Sequence, residues 1–157
     1  MTLSSRPSSE PPLIRVADAG DAERIASLSG ELGYPAGVAD VAARLRRLEK
    51  SDRDCVFVAV TGERLIGWIH AARRELLESD PGCEILGLVV DRAARRRGTG
   101  RSLLAAAERW ARRRNLTVIT VRSNVTRQES HPFYEQLGFA RTKTQHVYRK
   151  PLAAERR

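Results

Sequence analysis

Five arginines and two glycines fall within residues 91–102, DRAARRRGTGRS. Gly98 and Gly100 let an anion approach the backbone closely, and residues 96–100 can turn their N–H groups into a concave nest. A helix that starts here adds unpaired N–H groups and the positive end of its dipole. Together these are the chemistry of a phosphate site. Two familiar phosphate binders are disfavoured. The Walker loop needs GxxxxGK followed by Ser or Thr, which nothing in the chain matches. The dinucleotide fingerprint needs a third glycine three residues after Gly100, where Leu103 stands, and no acid near the end of residues 115–125 could hold a ribose.

The elements around this segment must hold it still. Residues 83–90, CEILGLVV, read as a strongly apolar strand at a sheet centre. After the glycines comes a helix to about Arg114, with Leu103, Leu104, Ala107, Trp110 and Ala111 on one arc and Arg101, Arg109, Arg112 and Arg113 outside it. Upstream, residues 13–17 form a short strand. A helix capped by Asp18 or Asp21 follows, with the stripe Ile25, Leu28, Leu32. Gly33 and Pro35 break it, and a second helix carries Val38, Val41, Leu45 and Leu48. Strands at 55–60 and 64–73 make a hairpin, and residues 75–82 read as a connecting loop. The period of two puts Glu84, Leu86, Leu88 and Val90 on one face of the central strand. Downstream come a strand at 116–121, a short helix over about 130–137 ended by Gly138, and one or two closing strands over 139–150. With only two β-α-β units, the fold class is α/β (α+β): a mixed sheet with helices on both faces.

The run LVVDRAARRRGTGRSLL resembles the acyl-coenzyme A signature of the GNAT superfamily of N-acetyltransferases. That signature is Arg/Gln-x-x-Gly-x-Gly/Ala after a strand ending in an apolar triplet, here Arg95, Gly98 and Gly100 after Leu88, Val89 and Val90. A second motif, NVTRQESHPFYEQLGF, resembles the superfamily's later segment, with Asn124 ten residues before Tyr134. The resemblance covers residues 13 to about 150 and implies the GNAT fold, with a mostly antiparallel sheet of six to seven strands. It implies acetyl-CoA as cosubstrate, no metal, and acetyl transfer to a primary amine by direct attack in a ternary complex. The pyrophosphate would lie on backbone N–H groups of Arg95, Arg96, Arg97, Gly98, Thr99 and Gly100. The pantetheine arm would pair with a splayed strand end at Leu88, Val89 and Val90, where a backbone N–H would polarise the thioester carbonyl. Asn124 would contact the pantetheine. Tyr134 would be the general acid and Glu84 the base acting through water, with His131 its rival.

The chain has 157 residues, a net charge of +9 and two cysteines. That length suits one domain, expected over 13–151 after a disordered lead-in at 1–12 and before a tail at 152–157. Cys55 and Cys83 fit no metal pattern and suit a reduced, cytoplasmic setting. No stretch approaches the length of a membrane span. The positive charge attracts anions of any kind. A nucleic-acid module built on residues 92–114 is one alternative, but its helix needs its apolar stripe for a core and has few base-reading side chains. The acceptor is expected to be a small-molecule or peptide amine, with N-terminal acetylation of a ribosomal protein as a further alternative. The superfamily makes a homodimer an expectation as well.

Overall fold

The computed structural model describes residues 10–155. The expected lead-in and tail fall partly on residues 1–9 and 156–157, which lie outside the described residues. The chain divides into two compact units, one through Arg122 and the other from Ser123.

The first unit begins with β1 (Leu13–Val16). Asp18 then caps a single 3-10 turn, accepting from the Gly20 N–H at 2.7 Å, while Asp21 accepts from the Asp18 N–H at 2.9 Å. Both aspartates expected at this boundary therefore serve it, reciprocally. The helices α1 (Ala22–Glu31) and α2 (Val38–Glu49) follow. Next come β2 (Asp54–Thr61), β3 (Arg64–Leu76) and β4 (Ser79–Val90). A long helix, α3 (Thr99–Arg113), leads to β5 (Ile119–Val121). The five strands lie in sequence order. Each of the first four pairs antiparallel with the next, and β5 joins β4 in parallel after the α3 crossover.

Two layers of core follow from strand parity. Val58, Leu65 and Val89 face α1 and α2 and pack with Ile25, Leu28, Val41 and Leu45. The opposite face meets α3, and Gly67 shows how closely. A Cβ there would lie 2.9 Å from the Val89 carbonyl and 3.2 Å from Leu103. Leu103, Leu104, Ala107, Trp110 and Ala111 are buried as the stripe requires, and Arg101, Arg109, Arg112 and Arg113 are exposed.

The structure corrects three expectations. The sheet has five strands among the described residues, not six or seven, because 139–150 forms no strand there. That segment alternates like a strand, but Val147 and Tyr148 are about 90 % exposed (90 % and 91 %) and no ladder partner supplies its backbone bonds. The connecting loop expected at 75–82 is instead the distal end of a hairpin, with Leu76 opposite Ser79. Its Pro81 and acidic residues are tolerated because the ladder is irregular and solvated there. Finally, the register shifts between His70 and Ala71, where β4 runs from Gly87 to Ile85 and leaves Leu86 as an extra, bulged residue. Glu84 stands opposite Ala72, whereas Leu88 and Val90 stand opposite Ile69 and Gly67. The bulge thus puts Glu84 on the α1/α2 face and Leu88 and Val90 on the α3 face, not all on one.

The second unit holds α4 (Ser130–Gln136). Gly138, at φ +90°, follows its end as expected, and the Phe139 N–H donates to the Tyr134 carbonyl at 3.0 Å. Tyr134 meets Phe133 and Phe139 edge to face, with ring centroids 5.1 and 5.5 Å away.

Candidate active site

The arginine- and glycine-rich segment is built on a fixed anchor. Asp91 ends β4 and is buried, and its Oδ1 accepts from the Ala93 N–H at 3.1 Å, closing a 3-10 turn over Arg92–Ala94. Its Oδ2 takes Arg24 at 2.6 Å and Arg64 at 2.7 Å. Burial pushes the Asp91 carboxyl up, but the Ala93 N–H and the two guanidiniums outweigh it, and the group stays below the usual carboxylate range. The chain then passes through two left-handed residues, Arg96 at φ +61° and Gly98 at φ +80°. No side chain caps α3 at Gly98, and Ser102 is the first residue to donate back, to the Gly98 carbonyl at 3.0 Å. The N–H groups of Thr99, Gly100 and Arg101 thus precede the helical ladder. Arg95, Arg96 and Arg97 are exposed around them, and Arg95 reaches the Val90 carbonyl at 3.3 Å.

The end of β4 is open on one side. Its parallel ladder with β5 covers Cys83, Glu84 and Ile85 and stops at the bulge. Among the described residues no strand pairs with residues 87–90 on the side away from β3. Leu88, Val89 and Val90 therefore present a free backbone edge that leads into the N–H cradle at 95–100. The two halves fit an extended polar chain ending in a phosphate group.

Glu84 is buried on the α1/α2 face, and both its oxygens are engaged. Oε2 accepts from Arg74 Nε at 2.8 Å, and Oε1 faces Arg122 Nε at 3.2 Å. A second polar pair shares this face. His70 Nε2 lies 2.8 Å from Asp54 Oδ1, and Asp54 Oδ2 accepts from the Ser51 hydroxyl at 2.6 Å. On the same face, the Trp68 ring lies on Gly87 so closely that a Cβ there would sit 2.7 Å from it. The sequence reading missed the Asp91 clamp and the Asp54–His70 pair. An Asp two residues before Ala93 is an ordinary turn signal that could have flagged the first. The second depends on register across two strands, which spacing does not reveal.

Asn124 and Tyr134 belong to the second unit. Asn124 Oδ1 accepts from the Thr126 N–H at 3.1 Å and its hydroxyl at 2.9 Å, while the Asn124 carbonyl faces His131 Nε2 at 3.2 Å. Burial pushes the Tyr134 phenol up, and Arg127 draws it partly back.

A parallel strand splayed from β4 at a bulge, followed by an N–H cradle at a helix start, defines an acyl-coenzyme A-binding acetyltransferase. The sequence profile of the Acetyltransferase (GNAT) family matches residues 24–139, and the chain belongs to that family. In class it is an acetyl-CoA-dependent N-acetyltransferase. It is 27 % identical over 117 residues to YhdJ of Bacillus subtilis (strain 168), described as an uncharacterized N-acetyltransferase, covering 72 % of this chain and 81 % of that one. Among solved structures, the aminoglycoside N-acetyltransferase AAC(6')-Iy in complex with CoA superposes at a TM-score of 0.82. It is 24 % identical, with 94 % of this chain and 99 % of that one covered. The aminoglycoside 6'-N-acetyltransferase AAC(6')-Ih of Acinetobacter baumannii superposes at 0.79, 21 % identical, covering 90 % and 99 %.

Proposed function

We propose that this enzyme acetylates a primary amine of a small molecule by direct attack on the thioester in a ternary complex. The observation that carries the reading is the free edge of β4 at 87–90 running into the uncapped N-terminus of α3. Leu88, Val89 and Val90 would pair with the pantetheine amides, and the N–H groups over 95–100 would take the pyrophosphate, with Arg95, Arg96 and Arg97 as a positive rim. A backbone N–H on that edge would meet the carbonyl oxygen where negative charge develops. Asn124 would serve the cofactor arm.

Direct attack is favoured over a covalent relay by the state of the thiols. Burial pushes Cys55 up to about 12 and Cys83 up to about 11, so neither offers a thiolate at neutral pH. Tyr134 would protonate the departing sulfur, and a phenol held protonated by burial suits an acid. Glu84, the base that the resemblance implies, has its two oxygens held by Arg74 and by Arg122, whose side chain is 76 % exposed. The fold shared with aminoglycoside acetyltransferases supports a small-molecule acceptor over a peptide.

The test is acetyl-CoA turnover over a panel of small amines and N-terminal peptides, with calorimetric titration of acetyl-CoA. Micromolar binding with turnover of small amines is the expected result. Turnover of peptides alone would replace the acceptor class, and absence of acetyl-CoA binding would overturn the reading.

A further inference from the structure

The acceptor's proton needs a destination, and Glu84 is poorly placed to receive it. Both of its oxygens hold guanidiniums, so protonation would cost charge-assisted bonds. We infer that His70, oriented by Asp54, is the base that takes the proton from the acceptor amine, a role that rests on the acetyl-transfer function proposed above.

Three observations support it. The first is orientation. Asp54 is fixed through Oδ2 by Ser51 and through Oδ1 meets His70 Nε2. Burial pushes the Asp54 carboxyl up, but its bonds to Ser51 and His70 bring it below the usual range. An ionised Asp54 requires Nε2 to carry a proton, which leaves the lone pair on Nδ1. Nδ1 has no hydrogen-bond partner among the described residues. The second is position. His70 stands opposite Gly87, the residue at which β4 becomes a free edge. Gly87 has no side chain of its own, and the Trp68 ring packs over it beside the imidazole. The third is access. The α1/α2 core covers Val58, Trp68 and Val89 on this face, but the His70 side chain remains 22 % exposed. The charged groups of the strands around it are Asp54 from β2, Arg74 from β3 and Glu84 from β4.

The transfer then balances. One proton of the acceptor's ammonium goes to Nδ1 of His70. The freed amine nitrogen forms a bond to the acetyl carbon, and the C–S bond breaks with its electron pair on sulfur. The second proton lost by nitrogen ends on that sulfur. The products are an amide, a thiol and a protonated His70, which releases its proton to solvent.

The experiment compares wild type, His70→Ala, His70→Gln, Asp54→Asn and Glu84→Gln with the best amine of the panel. The expected result is a loss in kcat of about 100- to 10,000-fold for both His70 variants, with acetyl-CoA affinity within about twofold of wild type. Added imidazole is expected to restore activity to His70→Ala but not to Glu84→Gln. Asp54→Asn should lose kcat with His70 still present. His70→Gln keeps a polar partner for Asp54, so it remains informative if the alanine variant fails to fold. A His70→Gln enzyme with near wild-type kcat would overturn this inference alone. A wild-type enzyme that binds acetyl-CoA but turns over no amine would overturn the acetyl-transfer reading as well.

Discussion

Tyr134 sits between two aromatic rings, and the low polarity around its hydroxyl determines when it can lose a proton. Its raised value means that it stays protonated through neutral pH and ionises only above the ordinary phenol value of about 10. A kcat profile of wild type and Tyr134→Phe checks this. The phenylalanine enzyme should lose about 100-fold or more, and no Tyr134-dependent limb should appear below roughly pH 10. The aspartates have the opposite sign. Asp21, Asp54 and Asp91 are held below the usual range in the folded chain. Their contribution to stability is complete above the ordinary value of about 3.9 and is lost as pH falls through their lower folded values. Urea melts between neutral and acid pH should show this decline, and Asp91→Asn should flatten part of it. At this scale the sequence was legible for the motif residues and silent on their partners. Gly98 stands out because phosphate sites need glycine there. Arg24 lies 67 residues from Asp91, and no spacing rule links them.

Helix α3 and strand β4 meet at the anion cradle, so changes in either should register in cofactor binding. Gly98→Ala places a Cβ on a backbone at φ +80°, a strain of about 1–2 kcal/mol at the first turn of α3. Calorimetry should find acetyl-CoA bound about tenfold more weakly or worse, with α3 still packed by Leu103 and Leu104. The amphipathic stripe of α3 was legible because helical periodicity encodes burial directly. The β3–β4 hairpin tip was not. Leu77 is fully exposed there, and a solvated turn with Pro, Gly and acids carries the same composition as a loop. The bulge at Leu86 was also invisible, since an extra residue leaves the hydrophobic content of CEILGLVV unchanged.

The whole molecule carries a charge of +9, and the five arginines of the segment at 91–102 are exposed around its turn and helix start, with Arg95 reaching the Val90 carbonyl. Cysteine chemistry is equally muted. Cys83 is buried and Cys55 partly buried, and both thiols are raised, so iodoacetamide at neutral pH should leave acetyl transfer intact under native conditions. Loss of activity on brief alkylation would contradict that. The helices and the order of strands in the first unit were legible as far as Arg122 because they have sequence-local signals, the β3–β4 tip and the bulge excepted. The strands expected at 139–150 had only alternation behind them, which marks a strand solely when a partner strand is there to receive it. The homodimer expected from the resemblance is open to sedimentation analysis, with β1 as the sheet's outermost strand and Leu13 and Val16 exposed on it.

The extra residue at Leu86 acts as a parity switch. Counting inward from either end of β4, odd and even positions exchange roles as they pass it. Deleting that one residue would leave every other position in its present layer, because Ile85 and Gly87 already oppose neighbouring residues of β3: Val89 would stay in the α1/α2 core and Leu88 on the α3 side, and only the extra backbone unit at which the β5 ladder ends would be lost. A single-codon deletion here should therefore change urea stability little and register instead as weaker acetyl-CoA binding, because a regular β4 would let the β5 ladder run on past Ile85 and close the free edge.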